Sequence, residues 1–150
     1  AFGSLVAHGH GGGLGWLAVL VTGGLGNWAN AWLLSPQHAS LGASTAVFGA
    51  VGILCGSEAR RRHLLRDTPL RQAAPVTVAL VLFAYLGMGE GQPGRGVDLT
   101  AHLFGLVFGL ALGPLLPSLL ARGFLRPRVQ LAAGAIALGL VAAAWARALT

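Results

Sequence analysis

The sequence predicts an all-α fold, a polytopic helix bundle in a membrane. Three observations carry that expectation. Hydrophobic residues make up 55% of the 150-residue chain and charged residues only 9%, against roughly 25% charged in soluble domains. The mean hydropathy is +0.71. The polar residues are not scattered but gathered into short segments that separate apolar runs, each near the length needed to cross a bilayer.

In chain order, residues 1–7 are a short apolar stump, and His8-Gly9-His10-Gly11-Gly12-Gly13 reads as a flexible turn. A first span covers Leu14 to Leu34, followed by a Ser35-Pro36-Gln37-His38 loop. A second, shorter span runs from Gly42 to Ser57, and Glu58 to Arg71 forms a polar loop with Arg60, Arg61, Arg62, Arg66 and Arg71. The third span is Pro75 to Met88, and residues 90–97 are a loop rich in Gly that also holds Pro93, Glu90 and Arg95. The fourth is Asp98 to Leu120, with Pro114 and Pro117 near its end and Arg122, Arg126 and Arg128 beyond it. An Ala- and Leu-rich last span covers Val129 to Ala148. The first residues lack the basic start and apolar core of a cleavable signal peptide.

The net charge of +6 comes from arginine alone. These arginines cluster between apolar stretches and not along one face, which argues against a nucleic-acid partner. They read instead as topology signals, because basic loops stay in the cytoplasm. The loops after the second and fourth spans are basic, so those at 35–41 and 90–97 face outward. The partner expected on composition is therefore the lipid bilayer. The single Cys55 excludes an internal disulfide and suits a small core residue. The histidines, carboxylates and cysteine do not have metal-ligand spacing, so no metal and no cofactor is expected.

Two segments place a reactive side chain just below an outward loop, and hence at similar depth. One is Gly42-Ala43-Ser44-Thr45-Ala46-Val47-Phe48-Gly49, and the other Asp98-Leu99-Thr100-Ala101-His102-Leu103-Phe104-Gly105. An ionisable group within a span is a functional-site hypothesis, because lipid makes it costly. A serine needs an adjacent base to become a nucleophile, which His102 would supply. Ser44 would lie in the first turn of its helix, near N–H groups able to hold an oxyanion. Taken singly, Ser44 reads first as a small packing residue, and His102 suits a structural hydrogen-bonding group as well as a functional one. Ala101, Gly105, Gly109 and Gly113 recur every four residues and form a smooth stripe that lets helix backbones nearly touch. Phe48, one turn below Ser44, would stack on the imidazole or serve as ordinary core. Asp98 is read as an N-cap in preference to a third catalytic group, and Asn27 and Asn30 as interhelical glue. His8, His10, His38 and His63 are placed in loops.

With these residues in place, the chain resembles the rhomboid intramembrane serine proteases. The family pattern of Gly-x-Ser-Gly on one helix and Ala-His-x-x-Gly-x-x-x-Gly on a later one is matched here by Gly42-Ala43-Ser44-Thr45 and by Ala101-His102-Leu103-Phe104-Gly105-Leu106-Val107-Phe108-Gly109. The resemblance implies Ser44 as nucleophile and His102 as general base. Gly42, Ala43, Thr45 and Phe48 would shape the site, and Ala101, Gly105 and Gly109 would pack the helices. It also implies transmembrane protein substrates and a multi-pass location in a bacterial inner membrane. The first four full spans would match family helices three to six in a domain over residues 1–120. Residues 121–150 would form an additional C-terminal helix. Two departures stand out. Thr45 replaces a glycine and is expected to crowd the turn. The His-x-x-x-Asn motif of the family's second helix is not found, and residues 1–7 look like the cytoplasmic end of that helix. The sequence is therefore expected to be a fragment. A rhomboid-like protein that binds transmembrane segments without cleaving them is the alternative. A small transporter using His102 as a proton relay is a more distant third.

Overall fold

The computed structural model describes residues 2–33, 43–87, 98–119 and 123–149, and these are helical almost throughout. The helices are α1 (Phe2–His10), α2 (Gly12–Leu33), α3 (Ser44–Leu64), α4 (Pro69–Gly87), α5 (Leu99–Leu112), α6 (Leu116–Leu119) and α7 (Pro127–Ala148). The fold is thus the all-α membrane helix bundle expected. Among the described residues, three helical stretches are long and apolar enough to cross a membrane, Pro69–Leu86, Leu99–Leu119 and Pro127–Ala148.

The hairpin at the start is tighter than a flexible turn. Helix α1 continues through His10, and the reversal falls on Gly11, whose φ of +87° suits glycine. Gly15 permits it, since a Cβ there would sit 2.6 Å from Ala7 Cα. His10 is buried, in contrast to the loop position expected for it. Its Nδ1 lies 3.1 Å from the Val6 carbonyl and its Nε2 lies 3.2 Å from Ser57 Oγ, which donates to the Gly113 carbonyl at 2.8 Å. This cluster ties α1, α3 and the end of α5 together.

The polar stretch from Glu58 to Arg71 is also mostly helix, with a turn confined to residues 65–68. The reason is local pairing. Glu58 accepts from Arg61 at 2.7 and 2.8 Å and from Arg62 at 2.8 Å, the i,i+3 and i,i+4 spacings that support a helix beyond the apolar layer. Arg66 then takes the left-handed position at φ 56°. Asp67 N–H donates to Arg62 O and Arg66 N–H to His63 O, which together make a Schellman stop. Helix α4 starts at Pro69, earlier than expected, and carries Pro75 in its interior. An interior proline frees the carbonyl four residues before it. Here that is the Arg71 carbonyl, which accepts from Arg62 Nη1 at 3.2 Å. The fourth span is interrupted: α5 ends at Leu112, and α6 resumes at Leu116 beyond Gly113 and Pro114.

Lipid is as apolar as leucine, so packing of small residues and not hydrophobic exclusion holds such helices together. The α3–α5 seam follows that rule. A Cβ added to Gly105, Gly109 or Gly113 would fall on the carbonyl oxygen of Thr45, Gly49 or Ile53, a match repeated at four-residue steps on both helices. In the opposite direction, Gly56 meets Leu110 O at 2.7 Å. Helix α2 closes the third side. A Cβ at Gly26 would lie 2.7 Å from Thr45 Cγ2 and 2.9 Å from Gly105 N. Val6, Ala18, Val19, Ala50, Ile53 and Leu116 fill one core cluster, and Phe48, Val51, Ala79 and Leu106 the other. Helices α4 and α7 are peripheral and expose Leu80, Val81, Tyr85, Leu131, Leu138 and Trp145, the side chains expected to face lipid.

Candidate active site

The site forms where the helix starts of α3 and α5 meet. Asp98 is the N-cap of α5: its Oδ1 accepts from Ala101 N–H at 3.0 Å, as its place before an apolar run suggested. The same carboxylate accepts from Thr100 Oγ1 at 2.9 Å and, through Oδ2, from Asn30 Nδ2 at 2.6 Å. Asn30 Oδ1 lies 2.6 Å from the same Thr100 hydroxyl, whose one proton it shares with Asp98. Asn30 is therefore an interhelical tie from α2 to α5, and it fixes the height at which α5 begins.

One turn below that cap, His102 points at α3. Its Nε2 lies 2.7 Å from Ser44 Oγ. With the ring proton on Nδ1, the hydroxyl donates to Nε2, which is the arrangement a general base needs. The approach is set by the seam just beneath, where Gly105 rests on the Thr45 carbonyl. Phe48 lies against the imidazole, with ring centroids 4.8 Å apart and planes tilted by 35°. Phe83 from α4 braces Phe48 edge-on at 5.6 Å, a contact not foreseen from the sequence. The imidazole is buried, only 7% exposed, while Ser44 and Ala43 are exposed. A buried base and an accessible hydroxyl are what an attacking serine requires.

Among the described residues the first turn of α3 carries no side-chain cap: Ala43, at the N-cap, has helical φ and ψ and makes no cap bond. Its N–H groups are thus not consumed by a capping side chain and sit beside Ser44, at the positive end of the helix dipole. Thr45 does not crowd Ser44. The structure places its side chain in the α2–α3–α5 seam, 1% exposed, with Cγ2 directed at Gly26 and Gly105. Gly42 lies outside the described residues, as do the outer loops at 35–41 and 90–97. Ala101 and Gly105 are buried in the seam beneath the site and Gly109 one turn deeper.

The second serine–histidine contact, between Ser57 and His10, stands thirteen residues further along α3. At 1.5 Å per residue that is about 20 Å from Ser44. Sequence reasoning missed it because the Gly-rich run around His10 reads as turn. The faint signal was Ser57 itself, a polar group at the end of an apolar run. Among the described residues no group of three or more His, Cys, Asp or Glu is placed to hold a metal ion.

Comparison with known proteins identifies a family. The family model for the Rhomboid domain matches residues 1–119. No curated protein and no solved structure matches the chain. A match over most of the chain, which includes the helices that carry Ser44 and His102, places the chain in the rhomboid family of integral membrane proteins.

Proposed function

We propose that the protein is an intramembrane serine endopeptidase that cleaves transmembrane segments of other membrane proteins. The observation that carries the reading is the 2.7 Å contact between Ser44 Oγ and His102 Nε2. A substrate helix unwinds near the outer surface, and its scissile carbonyl is presented to Ser44. As Oγ attacks, His102 Nε2 takes the hydroxyl proton, and the tetrahedral oxyanion is held by N–H groups at the start of α3. The carbon–nitrogen bond breaks as His102 returns the proton to the leaving amine, leaving an acyl-enzyme on Ser44. Water, deprotonated by His102, then releases the carboxylate product and restores the serine. Asp98 acts as helix cap and not as a third catalytic group, since its oxygens are bonded to Ala101, Thr100 and Asn30. The substrates implied by the family are membrane proteins.

The experiment is cleavage of a transmembrane reporter in proteoliposomes, paired with labelling by a fluorophosphonate probe. Ser44→Ala and His102→Ala are expected to abolish both while the helical circular dichroism signal is retained. Undiminished cleavage in either variant would remove the mechanism. The competing reading is a rhomboid-like protein that binds transmembrane segments without turnover. That reading predicts retained binding of transmembrane peptides and no labelling of Ser44.

A further inference from the structure

A cavity of about 690 Å³ lies between α2 and α7, well away from Ser44. Its walls include Gly13, Trp16, Leu20, Leu131, Leu138 and Val141, so it is almost wholly apolar. Gln130, at one end of its lining, makes two hydrogen bonds. Gln130 Oε1 accepts from Leu14 N–H at 3.0 Å, and Gln130 Nε2 donates to Phe124 O at 2.8 Å. A Cβ on Gly13 would collide with the Gln130 backbone, so the two helices touch there.

Three features identify the occupant. The α7 wall runs from Gln130 to Val141, eleven residues or about 17 Å of helix. That is close to half of the ~30 Å hydrocarbon core, the depth of one leaflet's acyl chains. Next, the slot begins at the arginine-bearing end of the bundle, where the basic loops predict the cytoplasmic leaflet. Finally, Arg126 and Arg128 stand exposed at the start of α7, immediately before the slot. Arg128 lies three residues before Leu131 and seven before Ala135, on the same rim of the helix. A groove of one-leaflet length, with two exposed arginines at the start of the helix that forms one wall, matches an anionic phospholipid in both its parts.

We propose that this groove is a binding site for an anionic phospholipid, with one acyl chain between α2 and α7 and the phosphate at Arg126 and Arg128. The site does not depend on the chemistry at Ser44. A bound lipid would fill the space between α7 and α2, and so link the C-terminal helix to the bundle through lipid as well as through protein contacts.

Trp16 provides the readout. The exposed Trp28, Trp32 and Trp145 are replaced by phenylalanine, and the full chain is reconstituted in phosphatidylcholine vesicles. A minor fraction of acyl-brominated lipid is then added, either phosphatidylglycerol or phosphatidylcholine. Brominated phosphatidylglycerol is expected to quench Trp16 with an apparent affinity roughly tenfold higher than brominated phosphatidylcholine. In R126Q/R128Q that preference falls to parity, while Gly134→Leu, which fills the slot, reduces quenching by both lipids. Equal quenching by the two lipids in the parent protein would overturn the proposal, as would a preference that survives R126Q/R128Q. Loss of the preference on adding inorganic phosphate would make this a soluble-anion site and overturn it equally.

Discussion

Gly105→Ala adds one methyl group at the contact that positions the proposed catalytic pair. The new Cβ would fall on the Thr45 carbonyl oxygen, with Thr45 Cγ2 at 3.0 Å and the carbonyl carbon at 3.1 Å. Backbone cannot yield as a flexible side chain does, and ordinary carbon contacts need about 3.5–4.0 Å. The helices must therefore separate by about 1 Å. His102 is only three residues from Gly105 and Ser44 is adjacent to Thr45, so their 2.7 Å contact opens beyond the ~3.2 Å limit of a useful hydrogen bond. A misplacement of that size costs roughly 100-fold in kcat/KM, and the overpacking costs about 1–3 kcal/mol of stability. The assay is the fluorophosphonate labelling rate of Ser44 alongside thermal unfolding in detergent. Gly24→Ala is the control, because a Cβ there meets nothing within 4 Å and a helical Gly→Ala is otherwise neutral or stabilising by up to about 1 kcal/mol. Gly105→Ala with an unchanged labelling rate and an unchanged Tm would refute the reasoning.

Other perturbations test other parts of the molecule. Ser57→Ala removes the hydroxyl bridging His10 and the Gly113 carbonyl, and should lower stability by about 1–3 kcal/mol without altering labelling of Ser44; a lost labelling signal would tie this cluster to the site. Asn30→Leu deletes the bonds to Asp98 Oδ2 and Thr100 Oγ1 and should cost about 1 kcal/mol in lipid, measured by unfolding in mixed micelles; no change would mean the cap holds without α2. The Arg61 and Arg62 guanidinium groups hold the Glu58 carboxyl down at about 2, from an ordinary 4.5. A lowered carboxyl pKa stabilises the fold above pH 4.5, and that contribution disappears as pH falls towards 2. The pairs are partly solvated, with Arg61 63% exposed, so the loss should stay under about 1 kcal/mol. Glu58→Gln should flatten the dependence of Tm on pH in that window; a variant that tracks the parent would show these pairs contribute nothing.

How far the fold was legible depended on which physical signal each residue carried. Apolar runs marked α4, α5 and α7, and the four-residue glycine repeat marked the α3–α5 seam before any helix was placed. The Asp98 cap was readable from its position ahead of an apolar run. What escaped were features set by partners distant in sequence. Glu58 to Arg71 looks like a solvated loop because hydropathy cannot see i,i+4 ion pairs or the Arg62 guanidinium that satisfies the carbonyl freed by Pro75. His10 looks like part of a glycine-rich turn because burial came from Ser57, forty-seven residues away. Thr45 was expected to obstruct the site, since a β-branched side chain beside a nucleophile has to go somewhere. Only the absence of side chains at Gly26 and Gly105, on two other helices, shows where it goes.

The same contrast explains where chemistry can reside in this bundle. The apolar windows at Pro69–Leu86 and Pro127–Ala148 are each only 11% buried, because a side chain facing lipid must itself be apolar. Helices α2 and α5, by contrast, meet within the bundle, and α2 holds the buried and hydrogen-bonded Thr22 and Asn30. Enclosure by neighbouring helices lets them carry hydroxyls and amides, each at low cost when bonded. It does not by itself make a serine reactive. Ser57 and Ser44 both stand beside a histidine nitrogen, but the Ser57 hydroxyl donates to the Gly113 carbonyl at 2.8 Å. Its proton is committed to a backbone acceptor and its oxygen is held within a three-helix knot. Ser44 is exposed at a helix start, and its hydroxyl lies 2.7 Å from an imidazole that Phe48 holds in place. Placement at an open helix end, and not the serine–histidine distance alone, separates the proposed nucleophile from the structural tie.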